Sequence, residues 1–239
     1  MRLLVVLALA SVSLLASGGA RAEGPTPTAP TGAPAFRVDL ASAFGEGPMG
    51  TLPYGFAGGE RPRIFLYEEW SELTEHFLRA RIHDPSKQKD VEIFGPLVES
   101  AAGAGEKSTP AAKRKKVQAA LDKALGAERY RPASVSDTSD AEGRVTAPVA
   151  GLAVKLDGAA LIATFEAGGE LRTRTIPLTV PKLYRNICDI RGTFAGVARI
   201  HYDDSVPFAV ADVALDCESM DGDARVPVPV VIDLRPPTR

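Results

Sequence analysis

Cysteine is nearly absent from this chain, with only Cys188 and Cys217 in 239 residues, and no CxxC spacing occurs. That excludes the usual thiolate metal and redox motifs. Charge of one sign is not in excess, since 28 basic residues face 30 acidic ones. No global field therefore draws the chain to nucleic acid or to anionic membranes. Aromatics make up 6% of the residues, with a single tryptophan. After the first fifteen residues no apolar run approaches the roughly 20 residues that a membrane-spanning helix needs. The nucleophile elbow GxSxG and the zinc motifs HExxH and HxxEH are also missing, which removes the most recognisable hydrolase settings.

One glycine motif is present and fails on context. Gly45, Gly47 and Gly50 match GxGxxG, but the continuation TLPYGFAGGERP is loop and Pro48 removes an amide donor. Phosphate binding at such glycines requires a helix to start there, so that its free amides and dipole face the ligand. The stretch reads as a loop.

The N-terminus has the three parts of a secretory signal. Arg2 is followed by an apolar run from Leu3 to Leu15 and by a small-x-small site at Ala20-Arg21-Ala22. Residues 1–22 are expected to be removed. The 28 basic residues less Arg2 and Arg21 leave 26 against 30 acidic, a formal charge of −4. Residues 23–36 are rich in Pro, Thr and Gly and form a tether without a core. In an exported chain two cysteines pair most readily. The expectation is a structural Cys188–Cys217 disulfide within the segment YRNICDIRGTFAGVARIHYDDSVPFAVADVALDC.

Two helices are expected in residues 37–140. The first spans residues 68–81 after a strand at RIFLY, because Trp70, Leu73 and Phe77 recur at helical spacing. On it Glu72 and His76, at i and i+4, could chelate a divalent metal, with His83 or His201 as a distant third ligand. A solvated face complementing the helix dipole is the simpler account of the same acids. The second helix begins after Thr109 as cap, with Pro110 in its first turn. Its apolar face is Val117, Ala120, Leu121, Ala124 and Leu125, and it ends near Gly126. Lys113, Arg114, Lys115 and Lys116 at its start are candidates for an anionic polymer, although consecutive charges spread around a helix and no aromatics interleave for base stacking.

From Val145 the apolar period becomes two. LAVKL, Asp157-Gly158 and ALIATF form a hairpin signal, and Gly168-Gly169 turns the chain into ELRTRTI. His201 beside Asp203 and Asp204 is the candidate catalytic pair, but a polar hairpin tip accounts for the same residues. Asp221-Gly222-Asp223 lacks the remainder of a calcium loop and reads as a turn. Pro227 and Pro229 place two missing amide donors on one side of the last strand, which marks an edge.

The fold class these observations imply is α+β: a two-helix N-terminal part (37–140), then an antiparallel sheet or sandwich (141–239) with one disulfide. The function they imply is an exported, non-enzymatic module, periplasmic or extracellular, that binds or scaffolds a cell-envelope protein or glycan. The alternative is an exported metal-assisted hydrolase drawing on the Glu/His cluster. No organic cofactor, no nucleic-acid partner and no membrane span after signal removal are expected.

Overall fold

The computed structural model describes residues 36–40, 53–72, 75–100, 108–185, 191–219 and 222–236. The signal, residues 23–35 of the tether and the GxGxxG match lie outside the described residues. Those described form part of one compact unit, Ala35–Arg239.

The architecture is mostly β, in three antiparallel sheets. The first has five strands in the order β4-β3-β2-β1-β5, from β1 (Gly55–Ala57), β2 (Arg63–Glu72), β3 (Glu75–Asp84), β4 (Lys89–Ser100) and β5 (Arg131–Pro132). The second runs β13-β12-β11-β6, from β6 (Ser134–Ser136), β11 (Arg191–Tyr202), β12 (Phe208–Ser219) and β13 (Gly222–Asp233). The third runs β10-β9-β8-β7, from β7 (Val145–Ala147), β8 (Leu152–Asp157), β9 (Ala160–Ala167) and β10 (Glu170–Pro177). Among the described residues there is one α-helix, α1 (Ala111–Ala127).

The expected α+β class with two helices is therefore corrected. Residues 68–81 are not a helix but the facing arms of the β2–β3 hairpin, with Glu68 opposite Arg79 and Trp70 opposite Phe77. Trp70, Leu73 and Phe77 fit a helical stripe, yet the run LRARI alternates strictly, and alternation is the strand period. Leu78, Ala80 and Ile82 are buried between half-exposed Phe77, Arg79 and Arg81. Trp70 and Phe77 instead stack across the hairpin, centroids 5.1 Å apart and planes within 5°. Arg79 pairs across the hairpin with Glu68.

The expected Cys188–Cys217 disulfide has one of its two cysteines, Cys188, outside the described residues. Cys217 is buried on β12 beside Trp70, Tyr184, Leu215, Val226 and Val228.

The β6-β11-β12-β13 sheet is covered on both faces, and β12 shows this most clearly. Phe208 and Val210 join a cluster with Phe56, Phe65 and Leu66 of the five-stranded sheet and Leu121 and Leu125 of α1. The alternate residues Ala209, Ala211 and Val213 join Leu152, Val154, Leu161 and Phe165 of the third sheet. A strand buried on both sides reads as a near-continuous apolar run, and FAVADVAL is one. Full burial of a side chain such as Phe65 or Phe208 is worth about 1.5–3 kcal/mol relative to exposure.

The hairpin turns around Gly158 and Gly168-Gly169 match the expectation, whereas Gly222 and Asp223, expected in a turn, open β13. Gly158 sits at φ +57° between β8 and β9, and Gly168 and Gly169 at +64° and +78° between β9 and β10, the left-handed region that two-residue hairpin loops need. β13 is an edge strand, with Pro227 opposite Ala214 and Pro229 opposite Asp212. Thr109, expected to cap α1, is used elsewhere: its Oγ1 accepts the Val98 amide at 2.8 Å, and its own amide donates to the Val98 carbonyl. Helix α1 begins after Pro110 without a side-chain cap.

Candidate functional site

Tyr54, Asp212 and His201 form a buried polar cluster drawn from three separate parts of the chain. Tyr54 lies immediately before β1, Asp212 at the middle of β12 and His201 near the end of β11. Arg199 is paired with Asp212 across the β11–β12 ladder, and His201, two residues on, projects from the same face. The register shift between Val197 and Arg199 sets that alignment.

Asp212 accepts two hydrogen bonds. The Tyr54 hydroxyl donates to Oδ1 at 2.9 Å, and Nε2 of His201 lies 2.9 Å from Oδ2. An ionised carboxylate only accepts, so Nε2 of the imidazole is the donor in this pair. The Arg199 Nε, on a half-exposed side chain, stands 3.6 Å from Oδ2 and supplies a countercharge from the rim. Tyr54 packs on the His201 ring at 4.2 Å between centroids and edge-on to Tyr67 at 5.2 Å. Burial, and then the neighbouring Asp212 charge, push the Tyr54 phenol well above its ordinary pKa, so it stays a donor at all physiological pH.

Tyr54, Asp212 and His201 are exposed by only 3%, 5% and 6%. Nδ1 of His201 is buried and makes no hydrogen bond among the described residues. A triad would need a serine or thiol at one imidazole nitrogen with the carboxylate at the other. Here the carboxylate is in place and, among the described residues, the second position holds no nucleophile.

A second polar run crosses β2, β3 and β4. Glu68, buried at 4%, receives the Arg79 guanidinium and lies 3.5 Å from Arg81. Arg81 donates to Asp90 at 3.0 Å, and Nδ1 of His83 lies 2.9 Å from the same carboxylate oxygen. Burial alone would raise the Asp90 pKa, but the His83 hydrogen bond and the Arg81 charge outweigh it and hold the carboxyl low. Tyr184 sits against this run, its phenol pushed up by burial and by the Glu68 charge. Each charge here has an opposite one on the neighbouring strand, which is what buried charges require.

The sequence candidates are thus partly regrouped. His201 is held by Asp212, not by Asp203 or Asp204. Asp203 caps its own turn through the Ser205 amide at 2.8 Å and pairs with Arg131 at 3.1 Å. Asp204 is exposed at the turn. For the metal candidates the helical spacing is gone: Glu72 pairs in register with Glu75, and His76 with Ser71. His76 is exposed and His83 buried, and seven residues apart on one strand they point to opposite faces. Among the described residues no group of three His, Cys, Asp or Glu side chains is placed to hold a metal. Sequence reasoning missed Tyr54 and Asp212. The available signal was the lone acid inside FAVADVAL, because an acid at the centre of a buried run must have a partner.

Of the four consecutive cations, Arg114 is turned inward. Its Nε donates to the Thr109 carbonyl at 2.7 Å, Nη2 to the Val98 carbonyl at 3.3 Å, and it pairs with Glu99 of β4. Lys113, Lys115 and Lys116 are exposed. On the inner side Gln118 imitates a strand, donating to the Val38 carbonyl at 2.7 Å and accepting the Leu40 amide at 2.9 Å.

Comparison with protein-family models, with curated proteins and with solved structures finds no match to this chain. The site's own chemistry has to carry the functional reading. No helix among the described residues is long and apolar enough to cross a membrane.

Proposed function

We propose that the protein is an exported, non-enzymatic module that binds or scaffolds a component of the cell envelope. The observation that carries the reading is the closure of the His201–Asp212 pair, at 6% and 5% exposure, between Tyr54 and the β11–β12 ladder. A general base must come within hydrogen-bond reach of the proton it abstracts. Here the carboxylate is consumed by two internal donors and the ring is covered by Tyr54. The cluster serves as a polar clamp that ties the segment before β1 to β11 and β12. Export rests on the charged, apolar and small-residue pattern of residues 1–22 and on the Pro/Thr-rich residues 23–36.

The test has two parts. Expressed with its own N-terminus in a bacterium with two membranes, the chain is expected outside the cytoplasm and beginning at Glu23. It is then expected to co-sediment saturably with purified peptidoglycan sacculi or envelope membrane fragments. Hydrolysis of nitrophenyl esters or phosphates, abolished in a folded His201→Gln variant, would overturn the reading. So would retention in the cytoplasm with residues 1–22 intact.

A further inference from the structure

We infer that the outer face of α1 is a docking surface for a linear anionic polysaccharide, read by a stripe of three lysines: Lys113, Lys116 and Lys123. The inference rests on the binding-module reading above and names the chemical class of its partner. In sequence the four cations from Lys113 to Lys116 fall around the helix without forming a stripe. The tertiary structure re-sorts them. Arg114 is withdrawn to the inner side by Glu99 and the Thr109 and Val98 carbonyls. Leu121 and Leu125 bury the adjacent face, with Val117 and Ala124 packed beside them. Lys113, Lys116 and Lys123 are all exposed. Their spacings of three and seven residues bring them onto one side of the helix. At 1.5 Å per residue the stripe is about 15 Å long.

Two features separate this stripe from an ordinary solvated face. The first is charge segregation. Helix α1 carries five cations and one acid, Asp122, for a net +4, while the whole chain is −2, so the other residues carry −6. The one acid is already engaged, accepting from Gln118 Nε2 at 2.8 Å. The second is placement against the helix dipole. Four of the five cations sit toward the N-terminal end, with no acid in the first turn and no base in the last. The positive end of the dipole disfavours cations there. A polyanion lying along the stripe relieves both the mutual repulsion and the conflict with the dipole.

The chemistry of the face selects among polyanions. Between the lysines stand Ala112, Ala119 and Ala120, and none of the exposed large apolar residues, Val91, Ile93, Val135 and Leu171, is on the helix. A helix that inserts into a lipid interface needs Trp, Phe or Leu on its contact side. A single-stranded nucleic-acid surface needs aromatics for base stacking. Lysines on an alanine ground offer point charges without either, which suits a flexible chain of carboxylate, sulfate or phosphate groups.

Fluorescein-labelled heparin oligosaccharide is the probe, titrated with residues 23–239 and read by fluorescence anisotropy. Neutral dextran, single-stranded DNA and anionic phosphatidylglycerol vesicles are the comparison arms. Heparin is expected to bind, weakening about tenfold or more between 50 and 200 mM salt, as a contact of about three charges does. The K113Q/K116Q/K123Q variant should lose at least tenfold in affinity with a flatter salt dependence. K155Q, at an exposed position of β8, should bind as the parent does. Because the three substitutions remove cations from the outer helix face, the variant's melting temperature should equal or exceed the parent's. Equal heparin binding by parent and triple variant overturns the inference, as does equal or tighter binding of DNA or vesicles. A parent that ignores heparin yet co-sediments with sacculi overturns the polysaccharide stripe and leaves the binding module standing.

Discussion

Asp212 joins two distant segments through a single side chain. It is buried in an apolar strand and accepts from a tyrosine and a histidine that belong to different segments. Asp212→Ala leaves both donors buried without an acceptor. Two buried donors left without an acceptor cost about 1–3 kcal/mol each, so the loss should be about 3 kcal/mol or more. Tyr54→Phe removes one neutral hydrogen-bond donor and keeps the ring packing on His201, so its cost is about 1 kcal/mol. Urea unfolding at neutral pH measures both. A loss below about 1 kcal/mol for Asp212→Ala would show that the clamp does not hold the segment before β1. The carboxylate was visible in the sequence as an odd acid in a buried run. Its partners were not, since Tyr54 lies 158 residues away.

Among the elements, the β2–β3 hairpin shows how two periodicities compete in one stretch. Trp70, Leu73 and Phe77 satisfy a helical template, while residues 77–83 satisfy a strand template. The strand prevails because Glu68, Arg79 and Arg81 then compensate one another across adjacent strands, and because β1 and β4 are present to pair with its two outer sides. β4 bends at Gly95, where φ is +100° and a Cβ would come within 2.8 Å of the Leu78 carbonyl. Gly95→Ala therefore combines an unfavourable backbone region with a backbone clash, and about 2–4 kcal/mol of stability should be lost. Gly126→Ala on α1 meets nothing within 4 Å and has no positive φ. It should stabilise by about 0.5 kcal/mol through helix propensity. Thermal melts of the two variants should shift in opposite directions; a neutral Gly95→Ala would contradict the bend.

At the scale of the whole molecule, the stability should be lost at acid pH. Asp84, Asp90 and Asp233 are each held below the ordinary carboxylate range although burial opposes it. Arg63 and the Lys87 and Ser86 amides hold Asp84, His83 and Arg81 hold Asp90, and Arg235 with Arg174 holds Asp233. A carboxyl whose folded pKa is depressed contributes fully above its unfolded value, about 4, and loses that contribution as pH falls through the folded one. The unfolding midpoint should be flat from pH 8 to about 5 and fall steeply below about 4. Asp84→Asn should flatten part of that fall. A midpoint that rises on acidification would contradict the assignment. The sequence by itself determined what depends on near neighbours: the hairpin glycines at 158, 168 and 169, the edge strand marked by Pro227 and Pro229, and α1 with Leu121 and Leu125 inward. Local backbone sterics and amphipathic spacing act over a few residues, so one stretch suffices to read them. Only the tertiary structure decided that residues 68–81 are strands, that β12 is buried on both faces, that His201 answers to Asp212, and that the lysines of α1 form a stripe once Arg114 is drawn inward. Those outcomes depend on which surfaces meet across long stretches of chain, and a partner supplied from far away overrides a local preference.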